Sequence, residues 1–425
     1  MKKVRLAFLG AGMRALEYGY YAIRHLNKVS IAAVADPDES KLNLFRKYGI
    51  TNCFASWQQL LDLPEKAADV VIICTPDNMH VEPARKAIEK GYHIIIEKPL
   101  SPKPSECAEL GRLAQEYDNI FMVAHVLRYT KMYSLMKKMA VEGKIGDLVT
   151  VEHSEYVERI HYSHSYVRGN WRNSGSSAPM ILTKSCHDMD IISYLAGESR
   201  CKSISSFGAL TYFNEKNAPE GAPEFCLDGC PAKDTCPYHT EKIYVYGRNE
   251  WWRSISRDKS REARRRALEG SPYGRCVFRC DNDVVDHQTV NMEFENGVTA
   301  VFTMTAFSKA GRRTKLMGTK GELEGVFGET GSRQYIRHFD FQSGKEKKII
   351  LPKTLDTHFG GDDGLMDEVV RMVNEGVNKS KTSVETSVHS HMMSFAAEKA
   401  RLEGTVVDVR GFEESVIGHA GESGK

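Results

Sequence analysis

Two ionisable side chains, Lys98 and His187, are of types that can handle the proton of a hydroxyl group. Lys98 stands in Glu97-Lys98-Pro99, directly after the apolar run 93–96, and an ammonium group at a strand end can donate hydrogen bonds to a ribose or a substrate hydroxyl. His187 is of a residue type whose ordinary pKa lies near neutrality, so a histidine can take a hydroxyl proton with little tuning. Taken alone, such a lysine is more often a solvated charge, and such a histidine a satisfied core residue. The pair predicts a catalytic site only if the fold brings both residues together.

The N-terminal stretch predicts an element that could hold a partner for this chemistry. The apolar run 4–9 ends at Gly10-Ala11-Gly12-Met13-Arg14-Ala15, a helical pattern continues to Ile23, and the run 30–35 ends at Asp36. Strand, glycine turn, helix, strand and terminal carboxylate follow the order of a dinucleotide-binding βαβ unit. Gly10 permits the tight turn, Gly12 lets a pyrophosphate approach the backbone, and Ala15 replaces the third glycine. The alternative is a turn in which the glycines are purely structural.

Asp36 predicts which dinucleotide is bound. A carboxylate roughly 20 residues beyond the glycines, at the end of the second strand, is where an adenosine ribose is held. The same charge repels a 2′-phosphate, and Pro37 follows where readers of NADP often have a small polar or basic pair. NAD is therefore expected rather than NADP, although Arg14 could weaken that preference.

Two further strands are predicted to end at the same edge of a parallel sheet. The run 68–74 leads into Thr75-Pro76-Asp77-Asn78-Met79-His80, a helix is expected over 83–90, and the run 93–96 leads into Glu97-Lys98-Pro99. In open α/β sheets ligands bind outside the carboxyl ends of the strands. Both turns are therefore expected to lie beside the glycine turn.

The second half of the chain has a different pattern. The segments 148–155, 285–294 and 298–305 alternate apolar and polar residues, and Glu295-Asn296-Gly297 between the last two is a hairpin turn signal. Alternation predicts an antiparallel sheet with one packed and one exposed face. The expected fold class is thus α/β, with an N-terminal doubly wound parallel sheet and a C-terminal α+β domain on a large, mostly antiparallel sheet.

Composition excludes several classes of partner. The 425 residues suggest two domains, and 58 basic against 56 acidic side chains give a net charge of only +2, too little for a nucleic-acid binder. The basic run 261–266 is expected to be a solvated face, with a role in holding an anionic substrate as the minority alternative. No segment approaches the roughly 18 apolar residues of a membrane helix. Ten cysteines without a secretory signal pattern point to the cytoplasm.

A cysteine-rich insertion is predicted at about 214–284, where the sheet pattern is interrupted. It contains five thiols at spacings looser than a paired zinc knuckle. A structural zinc site, unligated structural thiols, and other redox or cluster chemistry all remain open, so the metal content is unknown. The five thiols belong to Cys226, Cys230, Cys236, Cys276 and Cys280.

These motifs, in this order and spacing, resemble the glucose–fructose oxidoreductase, inositol dehydrogenase and rhizopine catabolism (Gfo/Idh/MocA) family. The resemblance continues through 123–129, Gly143-Lys144-Ile145-Gly146, His187-Asp188-Met189-Asp190, Gly360-Gly361-Asp362 and the helix expected over 383–403. It implies an NAD-binding Rossmann domain over 1–125 and a C-terminal domain over 126–425. It also implies oxidation or reduction of a hydroxyl on a sugar, sugar derivative or cyclitol with NAD or NADP, and a homodimer or homotetramer formed through the C-terminal sheet.

The resemblance and the strand-end positions together assign candidate site residues. Lys98 and His187 are the catalytic candidates, His187 because it matches the catalytic histidine of the family. The cofactor-binding candidates are Gly10, Ala11, Gly12, Met13, Arg14, Asp36, Thr75, Pro76, Asn78, His80, Glu97 and Lys98. The substrate candidates are Arg128, Tyr129, Trp171, Lys184 and His358, and Asp362 is equally explained as a helix N-cap.

One position departs from the family pattern. Many members have an aspartate four residues before the catalytic histidine, where this chain has Thr183, and Lys184 is the new ionisable neighbour. Lys184 could lower the pKa of the histidine or bind a substrate oxygen or anionic group. The structural alternative is that it pairs with Asp188.

Two other functions remain open beside an NAD-dependent dehydrogenase. Similar folds include NAD-dependent glycosidases, in which transient oxidation allows elimination and then re-reduction. A non-enzymatic, dinucleotide-sensing regulator is also conceivable, but it gives no reason to keep both Lys98 and His187.

Overall fold

The structure is a computed structural model that describes residues 2–328, 333–354 and 358–422, with the backbone alone for 419–422. Its regular structure forms two sheets and the helices packed on them. In the described residues no helix is both long and apolar enough to cross a membrane.

The N-terminal sheet has six parallel strands in the order β3-β2-β1-β4-β5-β6. Successive side chains of β1 are buried in two different cores: Leu6 and Phe8 in one, Ala7 and Leu9 in the other. Both faces are therefore covered, which confirms the predicted doubly wound sheet. The elements are β1 (Val4–Leu9), α1 (Met13–Arg24), β2 (Val29–Ala35), α2 (Glu39–Arg46), β3 (Cys53–Phe54), α3 (Trp57–Leu61), β4 (Val70–Ile73), α4 (Val81–Glu89), β5 (His93–Ile96), α5 (Pro104–Gln115) and β6 (Phe121–Val123).

The second sheet has nine strands in the order β14-β13-β12-β11-β7-β10-β9-β8-β15. Among these neighbours only β7 and β10 run parallel, so the predicted, mostly antiparallel sheet is confirmed. The hairpin at Glu295-Asn296-Gly297 joins β9 to β10, and Gly297 takes the left-handed conformation that such a turn needs (φ 82°). The strands are β7 (Leu148–Tyr156), β8 (Cys201–Ala209), β9 (His287–Phe294), β10 (Thr299–Thr305), β11 (Gly311–Gly318), β12 (Gly321–Phe327), β13 (Tyr335–Asp340), β14 (Lys345–Ile350) and β15 (Val407–Asp408).

The later helices connect the two sheets. Leu365 and Val369 of α11 join the core on one face of the N-terminal sheet, and Val384 and Met392 of α12 join the core on the other. Residues from both sides of the predicted domain boundary at 125 therefore share these cores. The helices are α6 (Lys131–Val141), α7 (Arg159–Tyr162), α8 (Met180–Thr183), α9 (Cys186–Leu195), α10 (Arg261–Arg266), α11 (Gly361–Glu375), α12 (Val384–Glu403) and α13 (Val409–Glu422).

The insertion has its own small core, centred on the buried residues Ile243, Tyr244, Val245 and Leu268. The basic run forms α10, in which no residue is fully buried. Its face is not simply solvated, however, because the Arg264 guanidinium lies 4.0 Å from the centre of the Trp252 ring and Arg265 forms an ion pair with Glu241. Part of this run therefore fastens α10 to the rest of the insertion.

Candidate active site

The glycine turn between β1 and α1 has the shape that a pyrophosphate requires. A Cβ atom on Gly10 (φ 95°) would lie 2.4 Å from the carbonyl oxygen of Cys74, so the turn accepts only glycine. A Cβ on Gly12 would meet nothing within 4 Å, so the backbone there borders open space. Gly12 is also the N-cap of α1 and supplies no side-chain hydrogen bond. The first amides of α1 are thus free of a side-chain cap, and this turn fits a dinucleotide.

Asp36 fastens the end of β2 to this turn. Its carboxylate is buried, accepts a 2.8 Å hydrogen bond from the amide of Ala11 and a 2.9 Å bond from the amide of Asp38, and lies 3.4 Å from the Lys41 ammonium. Each carboxylate oxygen keeps further lone pairs for ribose hydroxyls. The residue therefore joins the pyrophosphate turn to the predicted ribose position.

Arg14 belongs to a network of charged groups beneath the turn. Its guanidinium donates to Glu97 (2.7 Å) and to Asp362 (2.6 Å), and the Asp362 carboxylate also contacts His358 at 2.8 Å. Although burial alone would raise it, His358 and Arg14 hold the pKa of Asp362 below its usual value. Because Arg14 is paired with these two acidic side chains, the structure gives no support to the idea that Arg14 accommodates a 2′-phosphate. Asp362 lies in the first turn of α11 behind the N-cap Gly360, so the N-cap interpretation of Asp362 is wrong.

The turn after β4 is braced from within. The His80 ring is completely buried, with Nδ1 2.8 Å from the carbonyl oxygen of Pro99 and Nε2 2.9 Å from that of Thr75. The ring therefore joins two strand-end turns rather than offering a free nitrogen. Other cofactor candidates, Pro76, Asn78 and Met13, have exposed side chains at this edge.

Lys98 connects the edge of the parallel sheet to the second part of the chain. Its ammonium donates a 2.9 Å hydrogen bond to the carbonyl oxygen of Thr183, the last residue of α8. A two-residue break, Lys184-Ser185, separates α8 from α9, which begins at Cys186. The structure thus brings Lys98 to the helix pair that carries His187.

His187 lies in the first turn of α9 and is nearly buried, with 7% of its surface exposed. Its ring centre is 5.9 Å from that of His125 and 6.1 Å from that of His358. Burial, followed by the nearby charge of Lys98 and the rings of His125 and His358, lowers the pKa of His187 well below its ordinary value. The imidazole is therefore neutral near pH 7, the form that can accept a proton.

Lys184 has a different partner from the one predicted from sequence. Its ammonium lies 2.9 Å from Glu155, whereas Asp188 is paired with Arg312 at 2.6 Å and with His153 at 2.9 Å. The predicted Lys184–Asp188 pair is therefore wrong, because the break before α9 separates the two side chains. Glu155 also contacts Arg312 at 2.7 Å, so one buried acid links both cations.

Arg128 and Tyr129 are engaged away from this cluster. Arg128 is 1% exposed and donates two 2.8 Å hydrogen bonds to Asp190 and one to Glu198. The Tyr129 hydroxyl lies 2.9 Å from Thr382. The structure thus uses both side chains to join β6, α9 and the start of α12, and it gives no support to direct substrate contact.

Trp171 makes a second contact between the edge of the parallel sheet and the later part of the chain. Its indole nitrogen donates a 3.0 Å hydrogen bond to Asp77, in the turn after β4, and its ring stacks on Tyr166 at 6.0 Å. More than a third of its surface (37%) remains exposed. This aromatic surface keeps its place as a substrate candidate.

Three residues that sequence reasoning did not single out belong to this neighbourhood: His125, His161 and Arg312. Burial and the charge of Lys184 are the two largest causes that lower the pKa of His161 well below its ordinary value. Arg312 is brought in by β11, where strand alternation could have marked its face but not its partners. His125 stands two residues after β6, within the segment 123–129, and the contact of its ring with that of His187 brings it into this neighbourhood.

The cysteine insertion was expected to be a possible zinc site. In the part of the chain that the structure describes, no three histidine, cysteine or acidic side chains come together as a metal would require. The Cys276 thiol instead donates a hydrogen bond to Cys226, and this bond together with nearby Arg168 lowers the pKa of Cys226 below its ordinary value. Two strand-like segments that meet at Phe225 and Arg275 hold these thiols side by side.

Comparison with known families decides the relationship. The N-terminal profile of the Gfo/Idh/MocA family, described as an oxidoreductase family with an NAD-binding Rossmann fold, matches residues 4–125. The C-terminal profile, described as an alpha/beta domain, matches residues 137–409. The chain belongs to the Gfo/Idh/MocA family. It is therefore an NAD-binding oxidoreductase by family, which confirms the resemblance seen in its motifs.

Individual relatives are distant. The oxidoreductase YteT of Bacillus subtilis (strain 168) is 24% identical over 71% of this chain and 72% of its own length. Levoglucosan dehydrogenase of Pseudarthrobacter phenanthrenivorans is 29% identical over 40% of this chain and 42% of its own length. A 2,7-anhydro-N-acetylneuraminate hydratase of Escherichia coli (strain K12) is 25% identical over 46% and 50%. Except for YteT, the chain thus spans about half the length of these Gfo/Idh/MocA relatives.

Two solved structures confirm the fold over nearly the whole chain. A levoglucosan dehydrogenase in complex with NADH and levoglucosan superimposes with a TM-score of 0.70 at 16% identity, over 96% of this chain and 100% of the other. An oxidoreductase from Agrobacterium radiobacter in complex with NAD+, L-tartaric acid and magnesium superimposes with a TM-score of 0.68 at 16% identity, over 96% and 99%. At this identity the likeness concerns the fold alone.

Proposed function

We propose that the protein is an NAD-dependent dehydrogenase that transfers a hydride between the nicotinamide and a hydroxyl-bearing carbon of a sugar, sugar derivative or cyclitol. The observation that carries the proposal is the hydrogen bond from Lys98, at the edge of the parallel sheet, to the last residue of α8, the helix before α9, which carries His187. This contact supports a site in which Lys98 is the hydrogen-bond donor and His187 the neutral base, at the edge where the glycine turn opens. Family relatives that act on levoglucosan and inositol, by their names, support the same substrate class.

In this mechanism the chain's own residues handle the proton. Lys98 donates a hydrogen bond to the reacting hydroxyl, and the ring nitrogen of His187 that can reach the cleft, Nε2, accepts its proton. For reduction the roles reverse, and His187 returns the proton. NAD, when bound, accepts or returns the hydride. Lys184, Trp171 and His358 are the proposed substrate contacts, and the burial of His187 keeps bulk water from its ring.

The activity can be tested with an NAD reduction screen over cyclitols, aldoses, uronic acids and glycosides, with aglycone release followed in parallel. Accumulation of NADH with a free sugar is the expected result. Aglycone release that needs NAD but leaves no NADH would instead establish the glycosidase. That second candidate is kept because one relative, the 2,7-anhydro-N-acetylneuraminate hydratase, is named for a reaction without net oxidation. Tight NAD binding with no turnover of any compound would favour a regulator.

The pH profile tests His187 as the base. A base works only when deprotonated, so activity falls as pH drops through its pKa, and that pKa lies well below 6.5. We expect kcat/KM for oxidation to stay level from about pH 8 to below pH 6.5 and to decline only in more acidic solution. His187→Gln should lower kcat about 100- to 10,000-fold with an unchanged dissociation constant for NAD. Wild-type turnover in this variant would contradict the assignment.

Asp36 tests the preference for NAD, which we propose over NADP. Asp36→Asn keeps an oxygen for the amide of Ala11 but removes the charge that faces the ribose. We expect the KM for NAD to rise about 10- to 100-fold, because a hydrogen bond to a charged group contributes roughly 1.5–3 kcal/mol. The KM for NADP should fall, since Lys41 at 3.4 Å is released from its acidic partner. Asp38→Asn, at the N-cap of α2, is the matched control and should leave the cofactor ratio as it is.

We also propose that a second copy of the chain covers the outer face of the large sheet, giving a homodimer or homotetramer in the cytoplasm. Phe207 of β8 and Val301 of β10 are 67% and 39% exposed on strands whose alternate residues are buried. Apolar side chains of this size on an open sheet face favour association. Light scattering during size-exclusion chromatography measures the mass directly, and a monomer at micromolar concentration would contradict the proposal.

A further inference from the structure

Behind His187 lies a second histidine whose ring has no hydrogen-bond partner at either nitrogen within the described chain. Both Nδ1 and Nε2 of His125 are buried, as is Nδ1 of His187, and none of the three atoms is paired. The two rings meet edge to face, with centres 5.9 Å apart and planes inclined by 72°. Three unpaired ring nitrogens are thus concentrated at one point behind the proposed base.

Three unpaired buried nitrogens destabilise the fold unless the two rings hydrogen-bond to each other. A neutral imidazole has one N–H and one lone pair, and a buried polar atom without a partner destabilises the fold. Burial and the charges of Arg128 and Lys98 lower the pKa of His125 well below its ordinary value, so its ring is neutral too. A neutral His125 has a ring nitrogen with a lone pair, so it can offer a hydrogen-bond acceptor to the unpaired inner nitrogen of His187.

We propose that His125 is a positioning residue that accepts the Nδ1–H of His187 and gives its own N–H to Asp190. The proposal rests on the proposed function of His187 as the base. A small turn of the His125 ring, or one water between the rings, closes the chain of hydrogen bonds. Catalytic hydrogen bonds are often long before the complex with cofactor and substrate forms.

Asp190 is placed to end this chain. Its Oδ1 lies 3.7 Å from Nε2 of His125, both side chains are completely buried, and Arg128 holds the carboxylate through two 2.8 Å hydrogen bonds. With the proton of His187 fixed on Nδ1, the lone pair of Nε2 is directed to the cleft. Which nitrogen of a histidine carries the proton is set by the bond that the other nitrogen makes.

Other ionisable groups around the two rings also affect the protonation of His187 and His125. His187 faces Lys98 from the end of β5, His358 from the segment before α11, and Arg312 from β11. His125 faces Arg128 and Lys98 as cations, Glu97 and Asp190 as anions, and the ring of His391 on α12 at 5.5 Å. Among these groups, only His125 has an unpaired ring nitrogen beside the unpaired Nδ1 of His187 in the described structure.

The experiment compares His125→Phe with His125→Gln. Phenylalanine keeps a flat ring but removes the acceptor, whereas the glutamine amide can accept from His187 and donate to Asp190. His389→Gln is the matched control. His389, on α12, is a largely buried histidine like His125, but its ring nitrogens are hydrogen-bonded to Glu413 and to the amide of Cys201. Nuclear magnetic resonance of protein labelled at the histidine rings, alone and with NAD, reports the tautomer and pKa of His187. Steady-state rates over pH with a turned-over carbohydrate report the catalytic effect.

We expect the Nδ1–H tautomer of His187 in the wild type, a mixture of tautomers in His125→Phe, and recovery of the single tautomer in His125→Gln. The pKa of His187 should fall in the phenylalanine variant, because the protonated ring loses its acceptor. The kcat of the His125→Phe variant should fall about 10- to 100-fold, which is part of the roughly 100- to 10,000-fold rate enhancement that a general base contributes.

An unchanged tautomer and pH profile in His125→Phe would overturn the proposal, even if its rate fell. So would a glutamine variant no better than phenylalanine, provided that both keep the thermal stability of the control. The resonance measurement needs no substrate. A failure of the proposed dehydrogenase activity would therefore leave the tautomer result readable and distinct.

Discussion

Replacing Lys98 by methionine is expected to lower kcat about 100- to 10,000-fold. Methionine keeps the length of the side chain but removes the ammonium, which we propose donates to the reacting hydroxyl and which donates to the carbonyl oxygen of Thr183. The loss should appear in single-turnover hydride transfer as well as at steady state, because the chemical step itself is affected. Stopped-flow recording of NADH absorbance measures both.

The matched control is Lys90→Met. The Lys90 ammonium also donates a hydrogen bond to a carbonyl oxygen, that of Leu63 at 3.2 Å. Lys90 follows the last residue of α4, however, and so lies at the opposite edge of the parallel sheet from the glycine turn. The Lys90→Met variant should keep wild-type turnover.

Lys98 is also a cofactor candidate, so the dissociation constant of the Lys98→Met variant for NAD should rise modestly, by up to about tenfold. Turnover within twofold of wild type in Lys98→Met would remove Lys98 from the mechanism.

Arg128→Met is expected to destabilise the protein by about 3–5 kcal/mol, the largest stability effect that we anticipate for a single substitution. The guanidinium is 1% exposed, and its loss leaves the buried carboxylate of Asp190 without the cation that balances it. Removing one partner of a buried ion pair is far more damaging than the net contribution of the pair. Denaturation in urea, followed by circular dichroism, measures the change as long as unfolding is reversible.

Arg172→Met is the control for this experiment. Arg172 pairs with Asp281 at 2.9 Å, but the two side chains are 28% and 52% exposed, so the substitution should cost no more than about 1 kcal/mol. If Arg128 instead contacted the substrate, its replacement would raise KM while leaving the midpoint of denaturation near that of the control. That outcome would restore the substrate role predicted from sequence.

These two substitutions separate what residue patterns can and cannot predict. The run 93–96 followed by Glu97-Lys98-Pro99 located Lys98 at a strand end, because the length and apolar character of a buried parallel strand are local properties. Arg128 lies in an equally suggestive segment, after β6, yet its partner Asp190 is 62 residues away. No local pattern records such a pairing, so the prediction of a substrate contact had no means to detect the buried carboxylate.

The same limit explains two predictions that the structure contradicts. Lys184 and Asp188 are four residues apart and would face each other on a continuous helix. The break between α8 and α9 turns Lys184 to Glu155, a residue on the neighbouring strand β7. Asp362, likewise, is drawn to Arg14 at the other end of the chain. In each case a long-range ion pair took precedence over the interaction available within the helix.

By itself the sequence determined the fold class and the family and predicted the cofactor edge, because glycine turns, buried strands and alternating strands are set by short-range sterics and by which residues avoid water. Only the tertiary structure decided what surrounds His187. The rings of His125 and His358, the ammonium of Lys98 and the guanidinium of Arg312 reach it from different elements. Their effect on its proton depends on distances between parts of the chain that no spacing encodes.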